Sequence, residues 1–288
     1  MSDINQIEEK KEFQKFTQFQ SSVFVSNKID LKDVRCVNKY LKFDYFVDSI
    51  IHQYFHMSSP SRWDDLFETK YLDFLNSDFM AKEHPQDLEE LKSMSIFCTC
   101  MTCNNSDNEE ASWKNYDTDR EQIIRVTYDF NGLCTILSKA AIGKIYVGRM
   151  DYRSRKDILD PIPIINNGYE KMKDENNLDV LYVNNFCLKQ DAYKYENELR
   201  FCIIKRGDEF KQLKSNRIKN VNLTSAIKQI TLPPITPKNQ SSEEYQTKLF
   251  AQIKKALLLK AICPKVPVHV SNLYNTNEEE MTSEFTFI

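Results

Sequence analysis

Tyr193-Lys194-Tyr195-Glu196-Asn197-Glu198-Leu199-Arg200 runs without a break into Phe201-Cys202-Ile203-Ile204. In an extended chain successive side chains take opposite faces. A strand here would put Glu196, Glu198 and Arg200 on one side, with Tyr195, Asn197, Leu199 and Phe201 on the other. On solvent, such a row is an ordinary ion-pair ladder that contributes little. The neighbouring aromatics and the apolar continuation favour a different arrangement, in which other polar and aromatic blocks of the chain converge on the row. Two close carboxylates, one steadied by an arginine, suit chemistry in which one must stay ionised against a developing positive charge.

With 288 residues the chain can form one large domain or two small ones and can bury a substantial core. Charged residues at 28% and hydrophobic ones at 41% match an ordinary soluble globular protein. The net charge of -3 gives no general basic field for non-specific nucleic-acid binding, although it leaves room for a local basic groove. No apolar run approaches the roughly 18 residues a membrane span requires. The start, Met1-Ser2-Asp3-Ile4-Asn5-Gln6, lacks the basic and apolar regions of a signal peptide, so the expectation is a cytoplasmic protein with no membrane partner.

The eight cysteines lie mostly in apolar, strand-like segments and read as reduced, buried thiols. Cys98, Cys100 and Cys103 are spaced closely enough to begin a zinc site, but no second Cys or His pair follows at a usual interval, and no metal is assigned. Of His52, His56, His84 and His269, only His56 stands apart from a plain surface or partly buried reading. Five glycines supply neither a phosphate-cradling loop nor a dinucleotide fingerprint, which argues against ordinary NTPases and dehydrogenases.

Along the chain, Ile7, Phe13, Phe16 and Phe19 predict an amphipathic helix over residues 4–20, an appendage packed on the main body. Short strands follow at 23–25 and 35–40, a helix over 43–54 with Phe46, Ile50, Ile51 and Tyr54 on its apolar face, and a strand over 55–60 that ends at Pro60. The acidic and aromatic loop Ser61-Arg62-Trp63-Asp64-Asp65-Leu66-Phe67-Glu68 comes next, at a position where function often sits. Helix is expected over 69–94, interrupted at Pro85, strand over 95–100, and a short helix that sets Trp113 and Tyr116 one turn apart. Strand 122–130, helix 133–141, strand 145–152 and helix 168–187 lead to the opening stretch. Strands at 218–223, 227–232 and 266–271 and a helix over 241–259 complete the body. The division expected is a helical appendage at 1–22, a single domain at 23–274 and a loose tail at 275–288.

The blocks Asn38-Lys39-Tyr40, Met57-Ser58-Ser59-Pro60, Asp64-Asp65-Leu66-Phe67-Glu68, Trp113-Lys114-Asn115-Tyr116, Tyr152, Lys189, Tyr195-Glu196-Asn197-Glu198-Leu199-Arg200, Ile230-Thr231-Leu232-Pro233 and Val270-Ser271 fall in a particular order. Over residues 35–272 that order resembles the bacterial family catalogued as domain of unknown function 2971. The family's acidic loop usually reads Asn-Asp-Pro-Phe-Glu, where this chain has Asp64-Asp65-Leu66 in the first three places. The family is distantly similar to ADP-ribosyltransferases, and its members occur among bacterial toxin and phage-defence systems. The resemblance implies an α+β fold: a single domain with a split mixed and antiparallel β core of the ADP-ribosyltransferase type, flanked by helices. It also implies NAD as substrate. Lys39 and Tyr40 fall at the first site position, Ser58 and Ser59 at the second, and Glu196-Asn197-Glu198 at the third. Lys39 stands where Arg or His is usual.

In that reading Glu198 faces the positive charge that develops on the ribose as nicotinamide leaves, a contact often worth roughly 3 to 4 kcal/mol. Glu196 orients or deprotonates the acceptor, Arg200 holds a carboxylate ionised or meets a phosphate, and Tyr40, Trp113 or Tyr116 stacks on nicotinamide or on an acceptor base. The acceptor is nucleic acid, slightly favoured by those aromatics, or protein, with an antitoxin or chaperone as a further partner. Plainer roles stand beside these: Trp113 and Tyr116 as core, Ser58 and Ser59 as turn residues before Pro60, the acids of 64–68 as caps, and Lys189 as a simple partner of Glu196. Two other functions compete. One is a metal-dependent nuclease using Glu196, Glu198, Asp65 and Lys189. The other is a non-enzymatic module whose acidic strand is a docking face.

Overall fold

The structure, a computed structural model, describes residues 13–60, 63, 81–82, 84–103, 111–113, 122–141, 143–159, 178–234, 242–271 and 273. The acidic loop at 64–68, Tyr116, the tail at 275–288 and much of the helices expected over 69–94 and 168–187 lie outside them. The class is α+β, with mixed β-sheet flanked by helices, as the sequence leads one to expect. The chain divides into two compact units, each assembled from separated segments: Met1–Leu31, His56–Cys100 and Ala141–Arg217 in the first, and Lys32–Phe55, Met101–Ala140 and Ile218–Ile288 in the second.

In the first unit β1 (Phe16–Gln20) pairs antiparallel with β2 (Val23–Ser26), and β2 runs parallel to β7 (Ile145–Arg149). Next to β7 lies β10 (Glu198–Arg206), antiparallel, with Leu199 opposite Arg149 and Phe201 opposite Val147. Beyond β10 comes β5 (Met94–Thr102), and Cys98 on it faces Ser58 of β4 (Tyr54–Ser58). Strand β11 (Ser215–Lys219) pairs with β4. The helix expected over 4–20 is overturned at its described end. Phe16 and Phe19 are compatible with a helical period, but Phe16 packs edge-on against Tyr146 with ring centroids 5.5 Å apart, and the ladder to β2 takes the backbone. The expected strand 145–152 is broken at Met150. Its last part, β8 (Asp151–Arg153), pairs in parallel with β9 (Leu188–Gln190), which sets Tyr152 opposite Lys189.

Helices α2 (Pro85–Ser93) and α5 (Leu178–Asn185) cover this sheet. Pro85 occupies the first turn of α2, where a missing N–H costs nothing. Leu88, Leu91, Ile96, Cys98, Tyr146, Val183, Phe186 and Cys202 form one buried cluster beneath them. The short helices α4 (Arg155–Leu159) and α6 (Asp208–Lys211) complete the unit.

In the second unit β3 (Cys36–Lys42), β6 (Ile123–Asp129) and β12 (Ile227–Leu232) form an antiparallel run, and β13 (Val268–Val270) joins β12 in parallel. Thr102, at the end of β5, lies opposite Asn38. The helices are α1 (Phe43–Ile51), α3 (Phe130–Ala140) and α7 (Ser242–Ile262). Asp129 Oδ1 accepts the Gly132 N–H at 2.7 Å and satisfies the start of α3. Gln53, in the left-handed region at φ 50°, turns the chain after α1, so Tyr54 opens a strand instead of extending the helix.

Candidate functional site

The expected row of three charged side chains on one strand is corrected at its first member. Residues 191–196 form a 3-10 helix, Asn197 follows in the left-handed region at φ 46°, and β10 starts only at Glu198. Asparagine enters that region more readily than most residues because its short amide can bond locally. Here Asn197 Oδ1 accepts from Arg149 Nη2 at 2.6 Å. Glu196 therefore returns toward Glu198 across a sharp joint, and Lys189 Nζ joins the two, 2.6 Å from Glu196 Oε2 and 2.9 Å from Glu198 Oε2.

Glu198 is only 3% exposed and Arg200 not at all, so these two form no solvent ladder. Arg200 Nε lies 2.6 Å from Glu198 Oε1, and its Nη1 donates to the Phe186 carbonyl at 2.6 Å. Trp63 stacks over the guanidinium, 4.3 Å from Cζ to ring centroid, and its Nε1 donates to Ser58 Oγ at 3.2 Å. The Glu198 N–H donates to the Tyr152 hydroxyl at 2.9 Å, and the Cys100 thiol also bonds to the carboxylate. The Lys189 ammonium sits 5.1 Å from the Tyr193 ring centroid.

These contacts drive the two carboxyls apart in proton affinity. Burial alone would raise Glu198, but the Arg200 and Lys189 cations outweigh it and hold that carboxyl well below the usual range. Burial pushes the Glu196 carboxyl up to about 7; Lys189 opposes the rise and the Glu198 charge adds to it. One group is a fixed anion. Its neighbour changes protonation near neutral pH, the division of labour an acid–base pair needs.

Of the residues expected at the site, the structure brings Glu196, Glu198, Arg200, Lys189 and, through Trp63, Ser58 together. Ser59 follows in the same unit, its N–H donating to the Lys214 carbonyl at 3.1 Å. Lys39, Tyr40 and Trp113 belong to the second unit. Lys39 lies over the Phe55 ring at 5.0 Å. The Tyr40 and Trp113 rings meet edge to face at 5.0 Å in a cluster with Ile123, Trp113 being 1% exposed. They are core residues here, and the stacking role expected for them is withdrawn. His56 points to the exposed face of β4 between buried Phe55 and Met57.

For a two-carboxylate metal site, the position shared by Glu196 and Glu198 is already taken by the Lys189 ammonium; Asp65 lies outside the described residues. Cys98, a member of the short-spaced cysteine group, is buried with its Sγ 3.2 Å from that of Cys202, and burial raises its pKa. What the sequence reading missed is the left-handed joint at Asn197 and the Trp63 lid on Arg200. The Tyr-Glu-Asn-Glu pattern was a weak signal for the joint, since Asn is depleted in strands. Set against protein-family models, curated proteins and solved structures, the chain matches none.

Proposed function

We propose that the chain breaks the nicotinamide–ribose bond of NAD and transfers ADP-ribose to a macromolecule, with Glu198 and Glu196 as the working pair. The observation that supports this is a Glu-x-Glu pair sharing one lysine, in which burial pushes the first carboxyl up while Arg200 and Lys189 hold the second low. As the C1–N bond breaks, its electron pair leaves with nicotinamide and positive charge spreads over the ribose. A carboxylate that stays ionised at neutral pH lowers that barrier, by roughly 3 to 4 kcal/mol in comparable sites. The acceptor then attacks C1, and its proton passes to Glu196. In this reading the Lys189 ammonium exchanges its bond to Glu198 Oε2 for one to a phosphate oxygen of NAD, baring that carboxylate oxygen toward the sugar.

NAD and the ADP-ribosyltransferase type of core enter through the ordered blocks quoted above. So do the toxin or antiviral role and the antitoxin partner. With Tyr40 and Trp113 packed on each other, neither of these two tilts the acceptor toward nucleic acid over protein. The test is to incubate the purified protein with labelled NAD and cell extract beside E196Q and E198Q. Released nicotinamide and label on protein or nucleic acid are expected, falling about a hundredfold or more in E198Q. Circular dichroism of each variant guards against a loss caused by misfolding. No NAD consumption by the parent protein, or consumption by E198Q equal to the parent's, overturns the reading.

One observation favours a second reading. Both Glu198 oxygens are engaged and Arg200 has no exposed surface, as in a purely structural ion-pair network. In that case both variants lose stability and NAD is untouched.

A further inference from the structure

The joint between Glu196 and Glu198 is braced from a distant part of the chain. Arg149, whose guanidinium holds Asn197, is the last residue of β7, past the end of the β2 pairing at Val25–Val147. The backbone edge left there is covered by a side chain. Gln14 Oε1 accepts the Arg149 N–H at 2.8 Å, and Gln14 Nε2 donates to the Arg149 carbonyl at 2.6 Å, so one amide imitates a strand neighbour. Gln14 is itself 3% exposed and clamped by Asn184 of α5. Its N–H donates to Asn184 Oδ1 at 2.8 Å, and Asn184 Nδ2 returns a bond to the Gln14 carbonyl at 3.0 Å and another to Val180 at 2.9 Å. Every step of this line, from α5 through residue 14 to the joint, is a bond with a neutral amide as donor, acceptor or both, and the final one is charge-assisted by Arg149.

We infer that Asn184, Gln14, Arg149 and Asn197 form a positioning relay through which the N-terminal segment fixes the Glu196 carboxylate against Lys189. The relay touches no substrate. It works by keeping residue 197 left-handed and its amide fixed, so that the 3-10 helix carrying Glu196 closes back onto β10. The inference rests on Glu196 and Glu198 being the reacting pair, yet its readout is independent of turnover.

The experiment follows the Glu196 carboxyl by 13C NMR as pH is varied, in the parent protein and in N197D, N197G and Q14A. N197D keeps an oxygen for Arg149 and an acceptable left-handed backbone, and its added charge should leave the Glu196 midpoint no lower than the parent's. N197G keeps the backbone but loses the clamp, and Q14A lets Arg149 move; in both the Glu196 midpoint should fall by about one unit or more, because a carboxyl released from its buried place regains water. Nicotinamide release from NAD is measured in parallel. If the parent releases none while the midpoints move as expected, the relay stands and the proposed reaction fails. If N197G and Q14A stay folded and titrate like the parent, the relay is wrong whatever the enzyme does.

Discussion

Arg200 shows how much one side chain in this site is asked to satisfy. With no exposed surface, it gives Nε to Glu198, Nη1 to the Phe186 carbonyl and a flat face to Trp63. Lysine has a point charge and no fork, so it cannot meet the three together. R200K should therefore lose about 1–3 kcal/mol in chemical denaturation despite keeping its charge. E198Q strands the guanidinium without its counter-charge and should cost about 3–5 kcal/mol, whereas removing both charges with E198Q and R200M together should cost less than the sum of the singles. Additive losses would mean that the two groups do not act as a pair. At this scale the sequence was informative. The spacing of Glu198 and Arg200 places them on one strand face, and the apolar run after them puts that strand inside. It did not disclose the turn at Asn197, whose φ is 46° and whose amide oxygen bonds Arg149, a residue 48 positions away.

Elements were legible where their pattern is self-contained and illegible where a remote partner decides. The helix expected over 241–259 is present as α7, Ser242–Ile262, and the strand over 227–232 as β12, Ile227–Leu232. Phe13, Phe16 and Phe19 suggested a helix because a three-residue spacing fits one; pairing with β2 and packing on Tyr146 made residues 16–20 a strand. Between β7 and the segment after α5 the packing is closer than the sequence implies. A Cβ at Gly148 would stand 2.5 Å from Cys187 Sγ, well inside contact distance. G148A should cost about 1–3 kcal/mol of stability, and adding C187A should recover most of it by vacating that space. Thermal or chemical denaturation of the single and double variants decides this, and an unaffected G148A would contradict the packing described.

For the molecule as a whole, the residues expected to work together are distributed over two compact units. Glu196, Glu198, Arg200, Lys189 and Ser58 belong to the first, and Lys39, Tyr40 and Trp113 to the second. The contact network around Glu198 lies within the first unit, and the chemistry proposed depends on it. Sequence reasoning recognised the carboxylate pair and an arginine keeping one member ionised, but not the raised Glu196, which arises from burial beside Glu198. The sign of each shift is definite. A carboxyl raised in the folded state binds its proton more tightly there, so Glu196 subtracts stability as pH rises from its ordinary value of 4.5 toward 7; Glu198, held low, adds stability that is lost only in acid. The most direct measurement is a site-resolved 13C titration of both carboxyls in the unmodified protein. The account predicts a Glu196 midpoint near 7 and a Glu198 that stays ionised well below pH 4.5. If the two titrate together in the ordinary carboxylate range, the pair is not poised as described, and the proposed reaction loses its support.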